Sequence, residues 1–140
     1  MHFTVNWLAV LIGAVAGMAI GAGWYTTLGK QWMSALGKGE TEFKPNDWTP
    51  FAWGFATQLV TAYFVALITP ALFGEVTVWS GILAGAHMWF GFVLTTLILN
   101  HRYQNMPWKL TLIDGGYLLI VLVVQGIIVG LFGGGAGPAA

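Results

Sequence analysis

The sequence predicts an all-α membrane protein: a four-transmembrane-helix antiparallel bundle with both termini on the outer side. Three observations predict it. Of the 140 residues 57% are hydrophobic and only 7% charged, whereas a soluble domain carries roughly a quarter charged residues. So few charges cannot cover a surface that faces water. Four stretches are long enough to cross a bilayer, which takes about 20 mostly apolar residues. Tryptophans crowd the ends of those stretches, where aromatic rings anchor at the membrane interface.

The chain reads as a single integral membrane domain, 1–140, with helices at about 5–28, 50–72, 77–99 and 110–132 and a flexible glycine-rich tail at 133–140. The first span lacks the basic start of a signal peptide and is longer than an h-region, so it reads as a retained helix. Trp7 and Trp24 bracket it 17 residues apart, about 25 Å along a helix. After it, "GKQWMSALGKG" places Trp32, Met33 and Leu36 on one side between glycines. That pattern fits an interfacial helical turn, with a plain polar loop as the alternative. Thr49 and Pro50 read as an N-cap and first helical position for the second span. Pro70 weakens its far end before a short turn at 73–76. A compact polar loop at 100–109 joins the third and fourth spans.

All five basic residues lie in two loops: Lys30, Lys38 and Lys44 in the first, Arg102 and Lys109 in the last. The positive-inside rule therefore places both loops in the cytoplasm and both termini outside, the topology of a multi-pass inner-membrane protein. Trp7 and Trp79 mark the outer boundary, and Trp24, Tyr25, Trp32, Trp48, Trp53 and Trp108 the inner one. Of the eight tryptophans only Trp89 lies deep in a span.

Composition also limits function. The chain has no cysteine and zero formal net charge. Thiolate chemistry is thereby excluded, and with no basic run a nucleic-acid partner is not expected. Paired carboxylates, HExxH spacing and a phosphate-binding glycine loop are all missing, and Ser34 and Ser80 have no evident base. The chain therefore reads as a non-enzyme with no catalytic residues and no metal site.

Helices in lipid associate through close backbone approach and polar contacts. Gly13, Gly17 and Gly21 repeat at every fourth position of the first span. They form a packing face, either within the bundle or against a second copy. In the later spans an ionisable group in hydrocarbon costs a few kcal/mol and calls for a partner or a purpose. At helical phase Gln58, His87, Asp114 and Tyr117 reach similar depths, so they are expected to form one intramembrane polar cluster. The structural reading has His87 bonded to Gln58 or a backbone carbonyl, and Asp114 paired with Lys109 or Arg102. His2 and His101 fall near opposite membrane faces, outside the cluster. Trp89 is turned about 200° from His87. If His87 faces the bundle, Trp89 meets lipid or a neighbouring subunit.

Two longer stretches carry a family resemblance. "NWLAVLIGAVAGMAIGAGWYTTLGKQWM" has Asn6-Trp7, Trp24-Tyr25, Gly29-Lys30 and Trp32, and "LNHRYQNMPWKLTLIDGGY" has Asn100, Lys109 and Gly116-Tyr117. In these features the chain resembles the small bacterial membrane proteins grouped as domain of unknown function 1761. The resemblance implies a compact four-helix membrane protein and no established activity. From the residues themselves the expected role is a structural or accessory subunit of the inner membrane, self-associating or bound to a larger complex. No cofactor beyond bound lipid is expected. The alternatives are a small proton-linked transporter or channel using His87 and Asp114, and a pigment- or haem-contacting subunit using His87.

Overall fold

The computed structural model describes residues 4–44 and 46–133. His2 and nearly all of the glycine-rich tail fall outside them. The described residues form helices and turns, with no strand among them. Helix α1 spans Trp7–Thr27, α2 Gly29–Leu36 and α3 Thr49–Phe73. The third span, Val78–Tyr103, comprises α4 (Val78–Met88), a π-helical segment (Trp89–Leu94) and α5 (Thr95–Tyr103). Helix α6 spans Trp108–Phe132. Four helices of 21 to 26 residues are long and apolar enough to cross a membrane. At 1.5 Å per residue they measure about 32–39 Å, against a hydrocarbon layer of about 30 Å.

Each boundary has a local cause. Asn6 caps α1, its Oδ1 accepting from the amides of Leu8 and Ala9. The stretch after α1 is helical as α2, whose end is set by Gly37 at φ 74°. Helix α3 starts at Thr49 rather than after it, and Asp47 supplies the side-chain bonds that Thr49 was expected to supply. Gly74, at φ 74°, closes α3 by donating to the Pro70 carbonyl. Thr77 and Ser80 form a reciprocal capping box that starts α4.

Asp47 makes one end of α3 sensitive to pH. Its Oδ1 accepts from the Thr49 hydroxyl at 2.6 Å and the Thr49 amide at 3.0 Å. These bonds, the hydroxyl's first, hold the Asp47 carboxyl below the usual carboxylate range. A depressed folded pKa contributes stability that is present above the unfolded value of about 3.9 and is lost as pH falls through the lower folded value. Exchange protection of the Thr49 amide is therefore expected to fall below about pH 4. In Asp47→Ala that protection should already be low at neutral pH. Equal protection in the two proteins at pH 7 would remove Asp47 from this role.

Contacts fix the topology. Trp7 stacks on Tyr63 at 5.4 Å, while Met18 lies against Gly54, so α1 and α3 run antiparallel. Gly81 meets Gly126, Gly85 meets Leu122 and Gly130 meets Thr77, so α4 and α6 do the same. Gly13 faces Gln125 and Gly21 faces Tyr117, which sets α6 antiparallel to α1. The spans thus alternate in direction. The core is made largely of alanine and valine, with Ala14, Ala62 and Ala84 fully buried and Leu110, Ile113 and Leu122 as its larger members. Larger apolar groups such as Trp53, Phe90, Phe92 and Leu112 point outward. A surface of that kind suits lipid, where burying apolar area gives helices no reason to associate and close approach takes over.

The π segment alters the third span most. An i→i+5 turn takes one residue more than an α turn, rotating the rest of the helix by about 100°. On an unbroken α-helix His101 would sit about 160° round from the buried Gly85; the wide turn brings it to about 60°. Thr95 and Thr96 donate back to the carbonyls of Gly91 and Phe92 at the end of this segment. Such back-bonding satisfies acceptors that an irregular turn loosens. The span also continues through Asn100–Tyr103, where a loop was expected, so His101 stands on a helix.

Candidate functional site

The polar side chains inside the bundle form two groups along one side of α6. Thr111, Asp114, Tyr117 and Gln125 succeed one another up that helix over 14 residues, about 21 Å. The glycines of α1 make the room beside them.

The middle group joins three helices. Gln58 on α3 donates through Nε2 to the Tyr117 hydroxyl at 2.8 Å. Its Oε1 accepts from Gln125 Nε2 at 3.0 Å. Gln125 also donates to the Gly13 carbonyl at 3.2 Å, and Tyr117 donates to the Gly17 carbonyl at 3.3 Å. Gln58 and Gln125 are buried. The carbonyls of Gly13 and Gly17 are within reach because those residues carry no side chain. Together these bonds tie α1, α3 and α6 to one another at mid-span. One acceptor, Gln125 Oε1, is buried without a partner among the described residues.

The second group lies at the end of the bundle that carries the basic loops. Tyr25 on α1 donates to Asp114 Oδ1 at 2.7 Å. His101 on α5 places Nε2 4.0 Å from Asp114 Oδ2 and Nδ1 2.7 Å from the Thr111 hydroxyl. Arg102 donates to that hydroxyl at 3.1 Å and to the Met106 carbonyl at 2.9 Å, and its guanidinium lies 3.7 Å from the centre of the Trp108 ring. One arrangement of protons satisfies the set. Arg102 donates to Thr111, Thr111 donates to His101 Nδ1, and the His101 Nε2–H faces the carboxylate of Asp114. Arg102 Nε is buried without a partner among the described residues.

No hydrogen bond joins the two groups among the described residues. They meet where the Tyr25 and Tyr117 rings touch edge to face, centroids 5.2 Å apart. The single cluster expected from helical phase is thus two clusters with an aromatic contact between them. Gln58 and Tyr117 are brought together as expected and Asp114 lies near by, but His87 is not among them. Asp114 pairs with Tyr25 and His101, not with Lys109 or Arg102.

His87 and Trp89 exchange the faces expected of them. His87 is exposed, with Nδ1 2.7 Å from the Leu83 carbonyl and its ring against Phe73 at 6.4 Å. A carbonyl only accepts, so Nδ1 carries the hydrogen and the Nε2 of a neutral ring presents a lone pair outward. Trp89 is the inward residue: its indole donates to the Gly115 carbonyl at 2.8 Å. The reason is the glycine seam. Gly81 and Gly85 admit the α6 backbone, so α4 turns Ser80, Gly81, Ala84 and Gly85 inward and leaves His87 outside. Gly13, Gly17 and Gly21 face Gln125, Gln58 and Tyr117 inside the bundle. Among the described residues no group of three or more metal-ligating side chains converges.

Sequence reading missed Tyr25 and His101. Tyr25 lies 89 residues from its partner Asp114 and looked like an interfacial anchor. The face His101 presents depends on the π turn, which no motif announces.

The family described as "Protein of unknown function (DUF1761)" matches residues 8–130 of the chain. No curated protein and no solved structure matches it.

Proposed function

The chain belongs to the DUF1761 family, and we propose that it is a non-enzymatic structural or accessory subunit of a bacterial inner membrane, self-associating or bound to a larger membrane complex. In this reading the basic loops face the cytoplasm, both termini face outward, and lipid is the only bound small molecule. The observation that carries it is where the polar groups go. The internal ones join the protein's own helices, whereas His87 stands near mid-span on the outer surface with its Nε2 meeting no partner among the described residues. A histidine facing hydrocarbon costs a few kcal/mol unless something meets it. One turn on, Gly91 is open, with nothing within 4 Å of an added Cβ. A small residue beside a polar one is what a second helix packs against in a bilayer.

The test is purification from the native membrane in nanodiscs or mild detergent. A stoichiometric partner or a defined oligomer is expected. Combining His87→Leu with Gly91→Leu should abolish it without costing more than about 0.5 kcal/mol of stability, since neither position packs inside the bundle. A monodisperse monomer with no companion overturns the proposal. An absorption band beyond the aromatic envelope would replace it with a pigment or haem held by His87.

The proton-linked reading loses His87 as a member. What favours it now is the His101–Asp114–Tyr25 group at the basic end, and what weighs against it is the ring contact that separates this group from Gln58 and Gln125. Proton flux in liposomes that falls with Asp114→Asn would restore it.

A further inference from the structure

A recess of about 280 Å³ opens at the basic end, between the last turn of α1, α2 and the short 3-10 turn Glu40–Glu42. Tyr25, Gly29, Trp32, Met33, Glu40 and Phe43 line it. Its size is at the lower limit of ligand pockets, enough for a head group rather than a drug-sized molecule. Three of its walls are aromatic rings in sequence. Tyr25 meets Trp32 edge to face at 5.4 Å and 71°, and Trp32 meets Phe43 at 5.4 Å and 31°. Tyr25 is pinned from behind by its bond to Asp114, so that wall is set before anything binds.

We propose that this recess binds a quaternary or fully alkylated ammonium group, held against the rings of Tyr25, Trp32 and Phe43 with Glu40 as its counter-ion. Ring faces carry negative charge density and attract a cation within about 6 Å of the centroid, most strongly at tryptophan. The chain already shows the attraction: the Lys38 ammonium lies 6.0 Å from the centre of the Phe43 ring. Glu42 is engaged elsewhere, accepting from the Gly39 amide at 2.7 Å, which leaves Glu40 as the carboxylate lining the recess. The lining also selects among cations. A primary ammonium brings three N–H donors that each need an acceptor, and beyond Glu40 the walls are rings, a thioether and glycine. An alkylated ammonium brings no donor to leave unsatisfied, and its methyl groups pack on the rings. The same chemistry is available from a choline-type lipid head group or from a free quaternary amine.

The experiment uses the full chain in nanodiscs, with tetramethylammonium as probe and saturation-transfer NMR as readout. In discs of phosphatidylglycerol, transfer to the methyl protons is expected. Trp32→Leu should weaken it by roughly ten-fold and Glu40→Gln by roughly three-fold. Glu40 is exposed and makes no packing contact in the core, so its variant keeps the test valid even where Trp32→Leu disturbs α2. Repeating the measurement in phosphatidylcholine discs separates the two sources. Loss of the signal assigns the site to the lipid head group; survival assigns it to a free amine. The neutral isostere 3,3-dimethylbutanol is the control. No transfer in phosphatidylglycerol discs, transfer unmoved by both variants, or equal binding of the alcohol overturns the proposal.

Discussion

Gly126→Ala is expected to destabilise the bundle by about 3 kcal/mol, at the upper end of what overpacking usually costs. The new Cβ would overlap the carbonyl of Gly81, and one added at Gly81 would overlap the carbonyl of Gly126. Side chains relieve crowding by changing rotamer; two backbones in contact have no such freedom. Nor can α4 and α6 part at this point alone, because Gly85 against Leu122 and Gly130 against Thr77 close the same seam. With total stabilities near 5–15 kcal/mol, that loss takes a large share. The matched control is Gly23→Ala, an exposed position with nothing within 4 Å of the added carbon, which should gain up to about 1 kcal/mol from better helix propensity. Gly81→Ala and Gly126→Ala combined should cost less than their sum, because one displacement of the helices makes room for both. Reversible unfolding in mixed detergent, or steric trapping in bicelles, reads all four. A Gly126→Ala protein within about 0.5 kcal/mol of wild type would mean that the seam is not closed as described.

How much of the fold and of its polar groups could be read from the sequence depends on how far each signal reaches. The four long helices were legible because lipid compatibility is a property of each stretch by itself, and charge and hydropathy report it directly. The glycines at 13, 17 and 21 were legible as packing positions for the same reason. Which helix each would meet was not, since small-xxx-small spacing is the same whether the neighbour is internal or a second copy. Helical phase then predicted faces well where the helix is regular. On α6 it correctly turned Asp114 and Tyr117 into the bundle, and it brought Gln58 to the right depth. It failed on the third span for two physical reasons. The face of α4 is chosen by Gly81 and Gly85 admitting a backbone, a choice that a polar residue such as His87 cannot override at the cost of opening the seam. Beyond Trp89 the added residue of the π turn shifts the phase by about 100°, which carries His101 to Asp114. Long-range partners were out of reach as well: Trp24 donates to the Ile113 carbonyl at 2.9 Å across the bundle, yet its place at a span end announced only an interfacial anchor.

Gly17→Ala should separate the two meanings of the α1 glycines, and a loss of about 2–3 kcal/mol is expected. A Cβ there would lie 2.6 Å from Gln58 Cδ, on the amide itself. Unlike the Gly81–Gly126 contact, this one can yield, because Gln58 can swing aside. Its movement breaks the bonds to both Tyr117 and Gln125. Hydrogen bonds between membrane helices average about 0.6 kcal/mol each and reach about 1.7, so two of them plus residual crowding account for the figure. The buried amide of Gln125 and the hydroxyl of Tyr117 would be left with only the carbonyls of Gly13 and Gly17. In a double-mutant cycle Gln58→Ala makes room for the new methyl group, so the pair should cost less than the sum of the singles. An oligomer face predicts a different pattern: weakened association, unaltered stability, and no coupling to Gln58. Unfolding free energy and native mass in nanodiscs, measured on the same four proteins, distinguish the two. Association lost at full stability would move Gly13, Gly17 and Gly21 to the outside of the bundle; stability lost with coupling to Gln58 keeps them as the groove in which the middle polar group sits.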